Sequence, residues 1–449
     1  MITDCDEDRG GGRKKRHRST VDSKHNVNTG TDCYDEILEG NINGSIRNSW
    51  LRNVIKIGSE IIPSAPLQED TSPISSLSRQ LLQVKRRLWP AAERCAGAHN
   101  SSPQKEFTEA RRVCNPMEPL GEGRHRGLNQ MFINRSAIKL ANIDVILGFT
   151  LTTVPGDHFF FVDLCGAPGG FSEYLMKRCQ STRSGSAGSC RGYGMSLVGD
   201  NEHGKGTQWK LEEFCDQHGP FQTQFRRSGG ADGTGDLYHW NNVLELSNGI
   251  HYDMKYAGLD QQKVHLVTAD GGFDAQRDSE CQEEISQKLV LCQVAAGLYL
   301  LRHGGRLIVK MFGFQTSTVR TVMRSLFDYF EEIIILKPIS SRPASSERYV
   351  VCTGFQGVPP SWNGPTWMNA VLLGTAPRGD DTYYSNLDKH LDLIDRDMFT
   401  LNLKACFAIL SCLDRKAATK LGCRDHENIW FSERSQLNVN MYKYAWHLD

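Results

Sequence analysis

The stretch HFFFVDLCGAPGGFSEYLMKRC, residues 158–179, constrains the fold more than any other part of the chain. An apolar run of strand length ends in a loop with glycines at 166, 169 and 170, and a helical pattern starts directly after them. Strand, tight turn and helix in that order is the repeating unit of a parallel sheet covered on both faces. The alternation continues downstream. RGYGMSLVG and KVHLVTADGG read as strands, and ISQKLVLCQVAAGLYLLRHG reads as a buried helix stopped by Gly304 and Gly305. GRLIVKMFG follows as a strand, STVRTVMRSLFDYF as a helix and RYVVCTGF as a final strand. We therefore expect an α/β fold with a mostly parallel central sheet and helices on both faces. Its ligands should sit beyond the carboxyl ends of the strands.

The loop itself narrows the ligand. A phosphate loop needs GxxxxGK followed by Ser or Thr, and GAPGGFS has neither the spacing nor the lysine. A dinucleotide site needs GxGxxG and an acid at the end of the second strand, where GYGMSLVG ends without one. That disfavours a dehydrogenase. Two readings remain: a tight connection in an ordinary α/β fold, or a backbone brought close to a zwitterionic nucleoside such as S-adenosylmethionine, with helix amides offered to its carboxylate.

Four charges stand where charge is costly. Asp270 ends VHLVTAD, Lys310 ends GRLIVK, Lys139 lies within the helical NRSAIKLANID, and Glu347 precedes the strand RYVV. Each alone could be a partnered core charge. Asp270 and Lys310 say more together, because both close sheet strands at the edge where a cleft is expected. Lysines and carboxylates gathered there could steer or accept the proton of a substrate hydroxyl.

With these segments in view, the chain resembles the FtsJ/RrmJ-type ribose 2′-O-methyltransferases, over about residues 105 to 355. The resemblance implies a Rossmann-like S-adenosylmethionine-dependent methyltransferase fold with Lys139, Asp270, Lys310 and Glu347 as a catalytic tetrad. By the same likeness Asn134, the run Cys165, Gly166, Ala167, Pro168, Gly169, Gly170 and Phe171, and Asp236 with Leu237, bind S-adenosylmethionine. Within the family the likeness is to the branch that acts on the first transcribed nucleotide of 5′-capped mRNA, with Arg111 and Ser345 as substrate-binding residues. That implies a nuclear protein, with the transcription or capping machinery as a candidate partner. No metal is expected. The alternatives are a methyltransferase of the same fold acting on ribosomal or transfer RNA, and a catalytically silent RNA-binding scaffold.

The rest of the 449-residue chain bounds these readings. Formal net charge is zero, so an RNA must be met by a local patch. Residues 105–139 offer one, with seven Lys or Arg against four Asp or Glu, including Arg111, Arg112, Arg124 and Arg126. The 14 cysteines form no CxxC pair, which argues against structural zinc and for free thiols in a reducing compartment. No apolar run is long enough for a membrane span, and the first residues lack the apolar core of a signal peptide. GRKKRHR, residues 12–18, has the composition of a nuclear localisation signal. We expect a mobile arm over 1–45, a helical and loop extension over 46–104, the methyltransferase domain over 105–357, and a partly helical extension over 358–449.

Overall fold

In the computed structural model, which describes residues 49–57, 74–115, 132–183, 188–198, 208–211, 221–256, 258–259, 263–273, 282–376 and 381–418, the first element is a strand. This is β1 (Ser49–Ile57), where the pattern had suggested helix and loop. Two helices follow, α1 (Ile74–His99) and α2 (Pro103–Val113). Leu77, Leu81, Val84, Leu88, Ala92 and Cys95 recur at three- and four-residue steps along α1 and are all buried, as an amphipathic helix requires. The start of α2 is set by Ser102, whose hydroxyl accepts from the Lys105 N–H, and by proline at the first helical position.

The glycine loop joins β2 (His158–Leu164) to a helix, as expected. Before it lies α3 (Ser136–Ile146), carrying Lys139, and after it α4 (Gly170–Arg183). Then come β3 (Gly188–Met195), β4 (Phe221–Ser228), α5 (Trp240–Tyr256), β5 (Val264–Ala269) and α6 (Gln282–Leu300). Every residue of β5 is buried, the mark of a strand covered on both faces.

The next strand corrects one expectation. The helix ends at Leu300, before the glycines, and β6 (Leu301–Met311) begins at once and runs through Gly304 and Gly305. The two glycines therefore shape the strand rather than stop the helix. Pairing with β5 jumps from Val264↔Leu301 to Leu266↔Arg306, and Gly304 takes the left-handed φ of 73° that this excursion needs. The remaining elements are α7 (Ser317–Tyr329), β7 (Phe330–Pro338), β8 (Arg348–Phe355), α8 (Gly364–Leu372) and α9 (Asp381–Ala418).

All eight strands join one sheet in the order β1-β7-β8-β6-β5-β2-β3-β4. The run β6-β5-β2-β3-β4 is parallel, while β8 runs antiparallel to both β6 and β7, and β1 antiparallel to β7. The chain steps outward from β2 to β4 and then returns to β5 on the other side of β2. That reversal opens a crevice beyond the carboxyl ends of β2 and β5.

Beside the main core, α1 and α2 pack on α9 through a second cluster that includes Leu81, Leu88, Ile409, Leu410 and Leu413. α9 is tied to the sheet by a fully buried ion pair between Arg348 of β8 and Asp395. Among the described residues no helix is long and apolar enough to cross a membrane, and no cluster of three metal-ligating side chains occurs.

Candidate active site

The four charges come from four separate elements and meet at the crevice as two ion pairs. Asp270 directly follows β5 and Lys310 lies near the end of β6. The Lys310 Nζ donates to the Asp270 backbone carbonyl at 2.6 Å and sits 3.1 Å from its Oδ1. Lys139, on α3, reaches Glu347, in the residue before β8, with Nζ 2.7 Å from Oε2. The four side chains are only 10–14% exposed, so the charges act through a partly water-free space.

The pairs also feel one another. Burial pulls the Lys310 ammonium down, but the Asp270 and Glu347 carboxylates more than offset this and hold it above its ordinary value. Burial pushes Glu347 up, but Lys139, Lys310 and Lys337 together keep it well below the usual carboxylate range. The resting site therefore favours the charged forms of Lys310 and Glu347. Tyr349 completes the Asp270 side by donating its hydroxyl to Oδ1 at 2.9 Å.

The Glu347 side rests on the connection between β7 and β8. Lys337, at the end of β7, is fully buried and donates to Ser341 Oγ, the Ser345 carbonyl and the Glu347 carbonyl. Burial pulls its ammonium below the ordinary value, against the pull of Glu347, while its three partners are all acceptors, the pattern that suits the charged form. Asn402 of α9 donates from outside to the carbonyls of Pro343 and Ser345, and Asn142 of α3 accepts from Ser340. Neither Lys337 nor Tyr349 was singled out from the sequence. Lys337 carried the same signal as Asp270 and Lys310, a charge closing the apolar run EEIIILK.

Around the glycine loop the space that side chains would occupy is taken by the protein itself. A Cβ at Gly166 would meet the Asp163 carboxylate at 2.3 Å, one at Gly169 would meet Leu211 at 2.7 Å, and one at Gly170 would meet Asn134 Oδ1 at 2.1 Å. The glycines thus let the loop fold tightly against β2, residue 211 and the start of α3. Asp163 accepts from the hydroxyls of Ser172 and Thr268, and burial pushes its carboxyl up to about 7. The Cys165 thiol is pushed up to about 12 by burial, so it is no thiolate nucleophile. Phe171 is buried, its ring 6.1 Å from that of Tyr349, and so lies beneath the Asp270 pair. Ala167 and Pro168 form the turn between Gly166 and Gly169, and the Pro168 carbonyl accepts from the Lys210 N–H.

The other proposed cofactor residues sit around the same crevice. Asn134 Oδ1 accepts from the Ser136 N–H and hydroxyl at the start of α3. Gly235 packs on the Ser196 carbonyl after β3, which carries the 229–237 loop to the mouth of the crevice. Asp236 Oδ1 accepts from the Tyr238 N–H, so this aspartate shapes the turn, and the Leu237 side chain is buried in the core. Leu197, Val198 and Tyr238 are exposed large apolar side chains at this end of the sheet. Apolar surface, loop amides and an aspartate suit the mixed polarity of S-adenosylmethionine, and the cation it carries suits a site containing Asp270 and Glu347.

The two residues named for substrate have different surroundings. Arg111 of α2 stacks over Phe107 and lines a recess with Cys114, Asn115, Arg342, Pro343, Ala344, Ala405 and Ile409. The hydroxyl of Ser345 accepts from the Glu347 N–H, so it folds the loop that presents Glu347. Arg124, Arg126 and the basic run at 12–18 lie outside the described residues.

Comparison with known proteins identifies a family. The family model of FtsJ-like methyltransferases matches residues 132–355. Among curated proteins, Cap-specific mRNA (nucleoside-2′-O-)-methyltransferase 1 of Xenopus laevis is 34% identical over 275 residues, 58% of this chain and 29% of that protein. The human protein of the same name is 34% identical over 265 residues, 56% of this chain and 29% of its own length. The match thus spans less than a third of these relatives. Among solved structures, human Methyltransferase-like protein 13 in complex with SAH is 16% identical and covers 56% of this chain and 96% of that one, at a TM-score of 0.26.

Proposed function

The chain carries an FtsJ-like methyltransferase domain over residues 132–355, an S-adenosylmethionine-dependent fold, and on that premise we propose that it methylates the ribose 2′-hydroxyl of the first transcribed nucleotide of 5′-capped mRNA. The observation that carries the reading is the meeting of Lys310–Asp270 and Lys139–Glu347 beside the glycine loop, at the reversal point of the sheet. S-adenosylmethionine, when bound, supplies an electrophilic methyl group on a sulfonium. The residues to hold it are Asn134, the loop Cys165–Phe171, Asp236 and Leu237.

Transfer to a ribose oxygen depends chiefly on alignment. Of the two roles open to Lys310, accepting the hydroxyl proton or steering it, its charged state favours steering. An ammonium donates to a lone pair of the 2′ oxygen and orients the hydroxyl for in-line attack, with Asp270 and Tyr349 fixing its direction. The hydroxyl proton then leaves late, when the oxygen already carries the incoming methyl and is strongly acidic, and it passes to water. Lys139 and Glu347 close the other side of the acceptor and set the local field.

The names of the two relatives support the capped substrate; α2, α9 and the β7–β8 connection meet at a narrow recess, too small to enclose a nucleotide, that is lined by Arg111 and Arg342. Arg111 and Arg342 bring positive charge there for the triphosphate. The run GRKKRHR supports nuclear localisation. The test offers one short RNA with and without an N7-methylated guanosine cap, using tritiated cofactor and mapping the modified nucleotide. Methylation should require the cap and fall on the first nucleotide, and Lys310→Ala should abolish it with cofactor binding retained. Equal methylation of both RNAs would overturn the capped substrate, and near-normal turnover by Lys310→Ala would overturn the catalytic assignment.

A further inference from the structure

Lys337 lies outside the four charges but is bonded to the part of the chain that presents one of them. It lies at the end of β7, and ten residues later Glu347 opens the way into β8. Its three ammonium hydrogens have three acceptors within this connection: Ser341 Oγ at 2.9 Å, the Ser345 carbonyl at 2.8 Å and the Glu347 carbonyl at 2.7 Å. An ammonium with all three donors used by one short loop fixes that loop from within. It is also expensive to bury, and a chain needing only an apolar plug there could have used leucine or methionine.

The hydroxyl of Ser341 extends the link to the carboxylate itself. It accepts from Lys337 and donates to Glu347 Oε1 at 2.7 Å, while Oε2 takes the Lys139 ammonium. Glu347 is thus held at both oxygens and at its backbone carbonyl, and two of those three attachments run through Lys337. Its charge also helps keep Glu347 ionised despite burial.

We propose that Lys337 is a positioning residue of the methyl-transfer site, acting through Ser341 and the backbone of 345–347 to fix the Glu347 carboxylate against Lys139. The proposal rests on the methyl-transfer reading. Lys337 touches no reacting atom, so its contribution should vanish once Glu347 is disabled.

A double-mutant cycle tests this on the full chain. Single-turnover methyl transfer is measured for wild type, Lys337→Met, Glu347→Gln and the double variant, with melting temperature and cofactor affinity followed in parallel. Lys337→Met should lower the transfer rate roughly tenfold or more in the wild-type background, and by less than about threefold beside Glu347→Gln. Cofactor affinity should stay within about twofold, because the glycine loop is untouched. Equal factors in the two backgrounds would overturn the proposal, since a general loss of structure multiplies both rates alike. If Lys337→Met does not fold, Ser341→Ala, which removes the bridging hydroxyl alone, takes its place in the same cycle with the same opposing outcomes. Failure of the wild type to transfer methyl at all would strike the functional reading instead.

Discussion

At the scale of single residues, the site is built from charges that the protein both buries and uses. Asp163 gives a clear consequence. Burial lifts its folded carboxyl to about 7, above the ordinary 3.8. Its contribution to stability is therefore whole below the unfolded value and is lost as pH rises through about 7. Asp163→Asn removes that titration, so the difference in melting temperature between wild type and variant should shift steadily in favour of the variant from pH 4 to 7. A pH-independent difference would show that Asp163 does not titrate there. Asp270 and Lys310 were legible in the sequence because each ends an isolated apolar run, where a charge is conspicuous. Lys337 ends such a run too, but FEEIIILKP directly continues the helical STVRTVMRSLFDY, and the strand went unread. Without the strand, its terminal lysine had no significance. Arg111 and Ser345 stood out only through family likeness, since an arginine on an amphipathic helix and a serine in a turn have no pattern of their own.

At the scale of elements, the parallel strands flanking the crevice were readable and the periphery was not. β4, FQTQFRRS, alternates too weakly to stand out from the sequence around it, and β1 lies among polar and proline-rich segments. α9 was visible only as mixed signals in the tail, because its 38 residues change partners along their length. One stretch meets α7 through Arg320–Asp392 and Arg324–Asp388, another reaches the sheet through Asp395, and the last packs on α1. No single apolar stripe serves all three. At 1.5 Å per residue the helix is about 57 Å long, enough to support both the sheet and the recess beside Glu347. Leu410→Ala, within the cluster shared with α1, should cost about 2 to 5 kcal/mol in a denaturant melt. It should also weaken capped RNA binding, because Ala405 and Ile409 of the same turns wall the recess, while calorimetry should show unchanged cofactor affinity.

At the scale of the whole molecule, the segment matched by the family model is not a self-sufficient body. Residues 132–355 contain Arg348, whose guanidinium is fully buried against an Asp395 that the segment lacks. Cutting there strips Arg348 of its carboxylate partner and of the helix that covers it, and uncovers the edge of β7 that β1 normally pairs. Expressed alone, 132–355 should aggregate or lack a cooperative melt, whereas a piece spanning 46–418 should melt cooperatively; a sharp transition for the short piece would contradict this. The pairing of β1 has a consequence in time as well as in space. Ser49 registers against Pro338, and α1 waits for α9, so the earliest described elements to leave a ribosome bind partners made far downstream. The central parallel strands can assemble as they emerge, but the margin of the sheet closes only once β7 has emerged, and α1 finds its partner only once α9 has. Completion of the Glu347 side of this site is therefore a late event in the birth of each molecule, with long-range loop closure setting its pace.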